Sequence, residues 1–258
     1  MDFTTITVTE AGGVGTVTLN RPEVMNALSR DLRLEMASAL RALQATARCI
    51  VITGAGRAFC SGQDLNDAGS LEAVDFERIL TEEYVPLLRL ITDSPVPTIA
   101  AVNGAAAGAG ANLALACDVV IACESASFIQ AFTRIGLIPD AGGTHWLPRQ
   151  IGLARAMGAA LFAEKIGARQ AADWGMIWEA VPDERFAQAV AARAAHLAAG
   201  PGVAYAALKQ ALRGSFEQDL GKALAQEAEL QGRCGATADF REGVAAFLDK
   251  RPPRFRGA

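Results

Sequence analysis

Apolar and polar positions alternate at the start of the chain and then change to helical and buried-strand spacings. The stretch ITVTEAGGVGTVTLN alternates Thr and Val on two arms, which predicts a β-hairpin with Gly12 and Gly13 at its turn. SRDLRLEMASALRALQA has its apolar residues on one helical face, with Ser29 as a suitable N-cap. CIVITGAG is a continuous apolar run, typical of a strand buried on both faces.

Helical and buried-strand patterns continue to alternate through the middle of the chain. LEAVDFERILTEEYVPLLRLITD has helical spacing, and PTIAAVNG is a second buried strand that we expect to end at Gly104. AGANLALA is a short helix, and DVVIA is a third strand. This alternation predicts right-handed βαβ crossovers and an α/β fold with a mostly parallel sheet.

The pattern changes after about Leu147, where alanine-rich helical stretches follow one another and the strand signal is weak. Helices this rich in alanine pack closely, and their surplus apolar faces indicate contacts between subunits. No low-complexity linker separates the two parts. We therefore expect a core over residues 1–195 and a C-terminal helical oligomerisation region over residues 196–258.

Composition excludes several classes of function. Hydrophobic residues make up 51% of the 258 residues and charged residues 20%, which is typical of a globular protein. The net charge of −4 argues against a nucleic-acid partner, which needs a concentrated basic face. The five cysteines lack zinc-like spacing, and His145 and His196 are far apart, so no metal site is expected.

The cysteines and the N-terminal residues also predict where the protein is located. An odd set of five cysteines suits a reducing compartment, and the N-terminus MDFTTITVTE has neither a basic nor an apolar signal-peptide region, so we expect a cytoplasmic protein. The uncharged segment 96–117 is long enough to suggest a membrane span. Its proline, asparagines and glycines favour a strand, a turn and a buried helix instead, so no membrane partner is expected.

Two loops that follow buried strands are rich in glycine and alanine: ITGAGRAFCSGQDL and AAVNGAAAGAGANLALACD. In open α/β architectures, ligands collect outside the carboxyl ends of strands. Bare backbone there exposes N–H groups, and two of them could converge on one oxygen as an oxyanion hole. The alternative is that these loops contain glycine and alanine only because two elements of the fold pack closely there. Neither loop matches a dinucleotide fingerprint or a P-loop.

Six motifs in order carry a resemblance that extends from the first strand to the C-terminus. RPEVMNAL, GAGRAFCSGQDL, AAVNGAAAGAGANLALACDVVIA, GLIPDAGGTHWLPR, AADWGMIWEAVP and DFREGVAAFLDKRPPRF together resemble the crotonase (enoyl-CoA hydratase/isomerase) superfamily. The resemblance implies a spiral of ββα turns, a C-terminal helical trimerisation layer that often forms hexamers, and an acyl-CoA substrate. It implies no cofactor, because coenzyme A is part of the substrate.

The resemblance also assigns binding residues. The oxyanion donors it implies are the main-chain N–H groups of Gln63 and Ala109. Four further residues lie at positions that in the family touch the pantetheine or adenine of the substrate: Ala27, Asp64, Leu65 and Asn66. Phe132 is a further expected substrate contact, because its ring could line a pocket for an aromatic group.

Acid–base chemistry distinguishes hydratases from isomerases in this superfamily. The resemblance implies two glutamates that activate water in hydratases, and the matching positions here hold Asn112 and Phe132. The chain therefore lacks both of the carboxylates that would activate water for hydration. The remaining carboxylate is Asp140, which is either an ordinary helix N-cap or a buried acid/base with a raised pKa. Asn112 either hydrogen-bonds the ligand or the Asp140 carboxyl, or simply braces the loop.

Within the superfamily, SFIQAFTRIGLIPDAGGTHWLPR and ARAMGAALFAEKIGARQAADWGMIWEAV are most similar to the ring-1,2-epoxyphenylacetyl-CoA isomerases of bacterial phenylacetate catabolism. This resemblance implies conversion of the ring epoxide to oxepin-CoA, with a Δ3 to Δ2 double-bond shift at the same site and Asp140 as the catalytic acid/base. Two alternatives stay open: a general Δ3,Δ2-enoyl-CoA isomerase, and a non-catalytic acyl-CoA-binding homologue.

Overall fold

A computed structural model describes residues 3–65 and 75–257, and its strands form two sheets. The six-stranded sheet and the four-stranded sheet are built from β1 (Ile6–Ala11), β2 (Val14–Leu19), β3 (Cys49–Gly54), β4 (Ala58–Cys60), β5 (Thr98–Val102), β6 (Ala105–Ala107), β7 (Val119–Cys123), β8 (Ser127–Ile129), β9 (Ile166–Gly167) and β10 (Glu179–Val181). Their orders are β1-β2-β3-β5-β7-β10 and β4-β6-β8-β9.

The two sheets grow together along the chain. Each of β3, β5 and β7 joins the larger sheet, and the short strand that follows it (β4, β6 or β8) joins the smaller one. The pairs between these strands are parallel, whereas β1–β2 and β8–β9 are antiparallel. The repeating unit is therefore strand–strand–helix, which confirms the expected spiral of ββα turns.

Ten α-helices are described in residues 3–65 and 75–257. They are α1 (Arg30–Thr46), α2 (Phe76–Ile79), α3 (Val85–Thr92), α4 (Ala109–Ala116), α5 (Gly143–Phe162), α6 (Ala168–Asp173), α7 (Asp183–Ala198), α8 (Gly202–Gly214), α9 (Leu220–Gly235) and α10 (Ala238–Leu248). A single π-helical turn, Leu80–Tyr84, joins α2 to α3, and α5 is kinked at Gly152. The helical prediction near residue 80 is confirmed, except that residues 71–74 lie outside the described ranges.

Local sequence chemistry explains the first elements. Gly12 and Gly13 form the hairpin turn with φ of 58° and 78°, values that glycine adopts without steric cost. The Ser29 hydroxyl accepts a hydrogen bond from the Leu32 N–H at 3.2 Å and so caps α1. The hairpin and the cap are both confirmed.

The central sheet is buried on both faces, as the continuous apolar runs predict. One face contacts the main core, and on the other α7 packs against β3, β5 and β7 through Ala194 and Ala198. The predicted division after residue 195 falls inside α7. The split into a core and an oligomerisation region stays a prediction.

Two strand predictions were wrong in detail. The second buried strand ends at Val102 instead of Gly104, where the backbone passes so close to Arg57 that an added Cβ would lie 2.2 Å from its carbonyl oxygen. The alanine-rich C-terminal part contributes β9 and β10, which are only two and three residues long. Such short strands show no alternation, and they exist because β8 and β7 pair with them.

The uncharged segment 96–117, which we expected not to span a membrane, forms β5, β6 and α4. Over the residues that the structure describes, every helix is too short or too polar to cross a bilayer.

Gly110 allows α4 to pack on the end of β4, and its replacement tests this contact. An added Cβ would lie 2.5 Å from the Cys60 carbonyl oxygen and 2.6 Å from Cys60 Sγ. We expect Gly110→Ala to lower the free energy of unfolding by about 1–3 kcal/mol in urea denaturation, through overpacking. The control is Gly232→Ala in α9, where no atom lies within 4 Å and a small stabilisation is expected. Equal effects of the two changes would contradict the close packing.

Candidate active site

Asp140 lies on a strained turn between β8 and α5. The two residues after it have left-handed backbone, with φ of 47° at Ala141 and 82° at Gly142. The main-chain carbonyl of Asp140 accepts a hydrogen bond from the Gly143 N–H at 2.8 Å, so the chain turns sharply into α5. Left-handed backbone at a non-glycine residue costs free energy and is frequent at functional sites.

The side chain of Asp140 does not cap α5, which settles one alternative. The N-cap of α5 is Gly142, and no side chain bonds the first turn of the helix. Asp140 Oδ1 is buried and has no hydrogen-bond partner among the described residues. A buried carboxylate oxygen without a donor is costly, since the charged form loses its hydration.

The same burial sets the acidity of this group. It raises the pKa of the Asp140 carboxyl from 3.8 to about 6, against a smaller opposing effect of a hydrogen bond from its own backbone. Above pH 6 the group is mainly a carboxylate that can accept a proton. A pKa this close to neutrality also makes the protonated form a competent donor.

Asn112 braces the turn that carries Asp140. Its Nδ2 donates to the Asp140 main-chain carbonyl at 2.8 Å, and its Oδ1 accepts from Gln130 Nε2 at 2.9 Å. Asn112 is fully buried, and a Cβ on Gly143 would lie 2.3 Å from its Nδ2. The predicted hydrogen bond to the Asp140 carboxyl is therefore wrong, because the amide reaches the main chain instead. The bracing alternative is the one that the structure bears out.

The Gln63 loop presents main-chain groups in a fixed direction. Leu28 pairs with Gln63 in an isolated parallel bridge, in which Leu28 accepts from the Asp64 N–H and donates to the Gly62 carbonyl. Leu28 thus bonds the two neighbours of Gln63, and in such a parallel bridge the N–H and carbonyl of the residue between them point away from the opposite strand. The Gln63 N–H consequently faces away from Leu28.

Ala109 provides a second N–H beside the first. As the first residue of α4 it has no intrahelical acceptor, and its N–H lies at the positive end of the helix dipole. A Cβ added to Gly62, whose φ is 96°, would lie only 3.4 Å from the Ala109 nitrogen. The residue next to Gln63 is thus in contact with the amide of Ala109, so the two predicted donors come from loops that touch.

Phe132 lies against the start of α4. It is 6% exposed, and a Cβ on Gly108 would lie 3.8 Å from its Cζ. Of the two positions where the resemblance implies hydratase glutamates, one is therefore an apolar wall and the other is the bracing amide of Asn112.

The predicted coenzyme A contacts divide into two kinds. Arg21 Nη1 donates to the Ala27 carbonyl at 2.7 Å and forms an ion pair with Asp64 at 2.8 Å. Through Arg21, the buried Asp64 carboxylate links the loop of Ala27 to the loop after β4. Leu65, in contrast, is 46% exposed. Asn66 lies outside the described residues. Substrate contact at these positions stays a prediction.

Sequence reasoning missed several buried polar side chains in this region, among them Arg33, Tyr84 and Gln130. Arg33 gave one usable signal, because a cation within the apolar stripe of α1 needs a buried partner. Gln130 and Tyr84 gave none, since each lies beside apolar residues in an ordinary strand or helix pattern. Over residues 3–65 and 75–257, no group of three His, Cys, Asp or Glu residues could hold a metal ion.

Comparisons with known proteins identify the family of the chain. The family model for enoyl-CoA hydratase/isomerase matches residues 9–258. The chain is 61% identical to a "probable enoyl-CoA hydratase" of Rhodobacter capsulatus over the full length of both chains. It is 47% identical to the 1,2-epoxyphenylacetyl-CoA isomerase of Escherichia coli K12, with 95% of each chain covered.

A solved structure gives the same result for the fold. The enoyl-CoA hydratase of Bacillus anthracis superposes with a TM-score of 0.91 at 33% identity, and the match covers 99% of this chain and 100% of that one. The match of the family model over nearly the whole chain, together with these relatives, shows that the protein belongs to the enoyl-CoA hydratase/isomerase family.

Proposed function

We propose that the protein is an acyl-CoA isomerase that converts 2-(1,2-epoxy-1,2-dihydrophenyl)acetyl-CoA to oxepin-CoA and also shifts Δ3 double bonds to Δ2. The observation that carries the proposal is the half-buried Asp140 carboxyl, which has one buried oxygen without a partner and a pKa of about 6. The 47% identical relative bears the name of this epoxide isomerase.

The proposed mechanism needs two kinds of group. The N–H groups of Gln63 and Ala109 donate to the thioester carbonyl oxygen and stabilise the enolate that forms when the adjacent carbon loses a proton. In the Δ3 to Δ2 shift, the Asp140 carboxylate accepts that proton and, once protonated, returns it to the far carbon of the double bond, which moves the double bond next to the carbonyl. In the epoxide reaction, the bond between the two epoxide carbons breaks so that the ring expands to include the oxygen, and Asp140 moves a proton from the carbon next to the carbonyl to a ring carbon; no atom is gained or lost. There is no net redox change, and the steps use no cofactor besides the coenzyme A of the substrate.

Hydration is the alternative that the 61% identical relative's name raises. Water addition needs a base to activate water, and an asparagine amide cannot accept a proton at neutral pH. Asn112 is in addition engaged at both ends, by the Asp140 carbonyl and by Gln130. Phe132 makes the second position apolar. The site therefore supports proton transfer by one carboxylate better than it supports activation of water.

The Asp140→Asn variant tests this function. We expect kcat for epoxide isomerisation to fall by about 10²–10⁴-fold with little change in KM, because the carboxylate acts in the transition state and not in binding. In the wild-type protein kcat/KM should fall as pH decreases through about 6, since protonation of Asp140 removes the base. Steady-state kinetics from pH 5 to 9 measure both effects.

The matched control is Asp173→Asn, which removes an exposed carboxylate at the end of α6 and should keep wild-type kinetics. Isomerisation that survives in Asp140→Asn would exclude the proton shuttle and favour a non-catalytic or differently built site. Efficient turnover of straight-chain 3-enoyl-CoA without turnover of the epoxide would favour the general Δ3,Δ2-enoyl-CoA isomerase. Rapid hydration of crotonyl-CoA would favour the hydratase.

We further propose that the chain assembles as a homotrimer or a dimer of trimers. Large apolar side chains are exposed on the C-terminal helices and on α5, which is more apolar surface than a monomer normally shows to water. They are Leu153, Met157, Leu161, Phe162, Leu208, Leu212, Phe216, Leu220, Leu224, Phe240, Val244, Phe247 and Leu248.

Native mass spectrometry tests the assembly. We expect a mass of three or six chains, and we expect Phe247→Glu to shift the population towards monomer, because it places a charge in an apolar contact. Phe247 is 81% exposed in the single chain, so the change should leave the fold of the monomer intact. Glu229→Gln, an exposed polar position on α9, is the control. A monomeric wild-type protein at micromolar concentration would contradict the assembly.

A further inference from the structure

The side chain of Gln63 is held by two buried donors. Its Oε1 accepts hydrogen bonds from Tyr84 Oη at 2.5 Å and from Arg33 Nη1 at 3.1 Å. Its Nε2 donates to the main-chain carbonyl of Asp64 at 3.3 Å. The residue whose N–H is a proposed oxyanion donor is thus fixed through its side chain as well as through its bridge to Leu28.

Arg33 connects these two attachments. Its Nη1 also donates to the Leu28 carbonyl, so a single guanidinium contacts both partners of the bridge between Leu28 and Gln63. Arg33 is 3% exposed and pairs with the carboxylate of Glu83 through Nε at 3.1 Å and through Nη2. The charge of Arg33 is therefore compensated without its hydrogen bond to Gln63.

Tyr84 and Glu83 are consecutive residues of the π-helical turn between α2 and α3. Glu83 contacts the guanidinium of Arg33 edge-on, while the ring of Tyr84 lies 5.0 Å from Arg33 Cζ. A π turn changes the angle between successive side chains relative to an α-helix, and such turns are frequent at functional sites. Here it directs both side chains to the same arginine.

The Tyr84 hydroxyl is a permanent donor. Its side chain is almost completely buried, and this burial raises its pKa well above the usual range. The negative charge of Asp140 acts in the same direction, so the two groups are close enough to interact. Tyr84 consequently stays neutral throughout the pH range of the reaction and cannot serve as its base.

We propose that Tyr84, together with Arg33, is a positioning residue of the oxyanion hole, which holds the Gln63 side chain and thereby fixes the direction of the Gln63 N–H. This inference rests on the proposed function, because it concerns the same site. A hydrogen bond weakens steeply when the donor turns away from the acceptor, and an oxyanion hole works only if its donors are preorganised. The bridge to Leu28 and the ion pair of Asp64 hold the main chain of this loop, and the contacts of Tyr84 and Arg33 hold the Gln63 side chain itself.

Tyr84→Phe tests the proposal, since it removes one donor and keeps the ring. We expect kcat to fall about tenfold with KM nearly unchanged, and the acidic limb of the pH profile to keep its midpoint because Asp140 is untouched. The direct readout is the absorbance of 4-hydroxycinnamoyl-CoA, which moves to longer wavelength when its thioester carbonyl is polarised. The variant should show a smaller shift on binding than the wild-type protein.

Gln63→Met provides a second route to the same contact. It keeps the main-chain N–H and the length of the side chain but removes the acceptor of Tyr84. We expect Gln63→Met to lose at least as much kcat and absorbance shift as Tyr84→Phe, because it also removes the contact with Arg33. The double variant should lose no more than Gln63→Met alone, since the contact with Tyr84 is already broken there. Tyr205→Phe is the control, since Tyr205 is the other tyrosine of the chain and lies on α8 outside this network.

The outcomes distinguish a failure of the positioning role from a failure of the oxyanion hole. A wild-type shift that is fully retained in Tyr84→Phe, or strictly additive losses in the double variant, would overturn the role of Tyr84 and leave the oxyanion hole standing. A wild-type protein that binds the probe without any shift would overturn the oxyanion hole, and the positioning role with it.

Discussion

The close approach of α4 to the loop after β4 is the constraint on which the site depends. At Gly110 the Cys60 carbonyl oxygen would lie 2.5 Å from an added Cβ, and at Gly62 the Ala107 carbonyl would lie 2.9 Å from one. Only residues without a side chain permit backbones to meet at these distances. Because the two segments touch, an N–H at the start of a helix and an N–H from a separate loop can lie side by side.

The same helix also controls the acid/base. Asn112 is three residues after Ala109 on α4, and its amide holds the main chain of Asp140. Any movement of α4 would therefore displace the oxyanion donor and the carboxylate together. The Asn112 amide bonds the main chain and not the carboxyl, so Asp140 Oδ1 stays buried without a donor, and this burial raises the pKa of the carboxyl. Rigid placement and unsatisfied charge are thus combined in one turn.

Much of this fold could be predicted because local chemistry determines it. The glycine turn of the hairpin, the Ser29 cap and the buried parallel strands each depend on residues close in sequence. The strands of the smaller sheet were not predictable, since three residues such as Ala105–Ala107 carry no pattern and pair only because the spiral brings them together.

The candidate site shows the same division. The exposed N–H groups followed from glycine-rich loops and from the family resemblance, and Asp140 stood out as a lone carboxylate. The role of Asn112 could not be decided, because an amide can serve a ligand or a loop, and only the three-dimensional structure shows which atoms it meets. The Tyr84 contact joins residues 21 apart across a helix boundary, so no short-range pattern records it.

The central claim is that one carboxylate reaches the carbons next to a thioester whose oxygen is held by two main-chain N–H groups. A crystal structure with a non-isomerisable acyl-CoA thioester tests it most directly. The account predicts the thioester oxygen about 3 Å from the nitrogens of Gln63 and Ala109, with an Asp140 oxygen in contact with the carbon next to the carbonyl. An Asp140 side chain turned into bulk solvent, away from the acyl group, would contradict it.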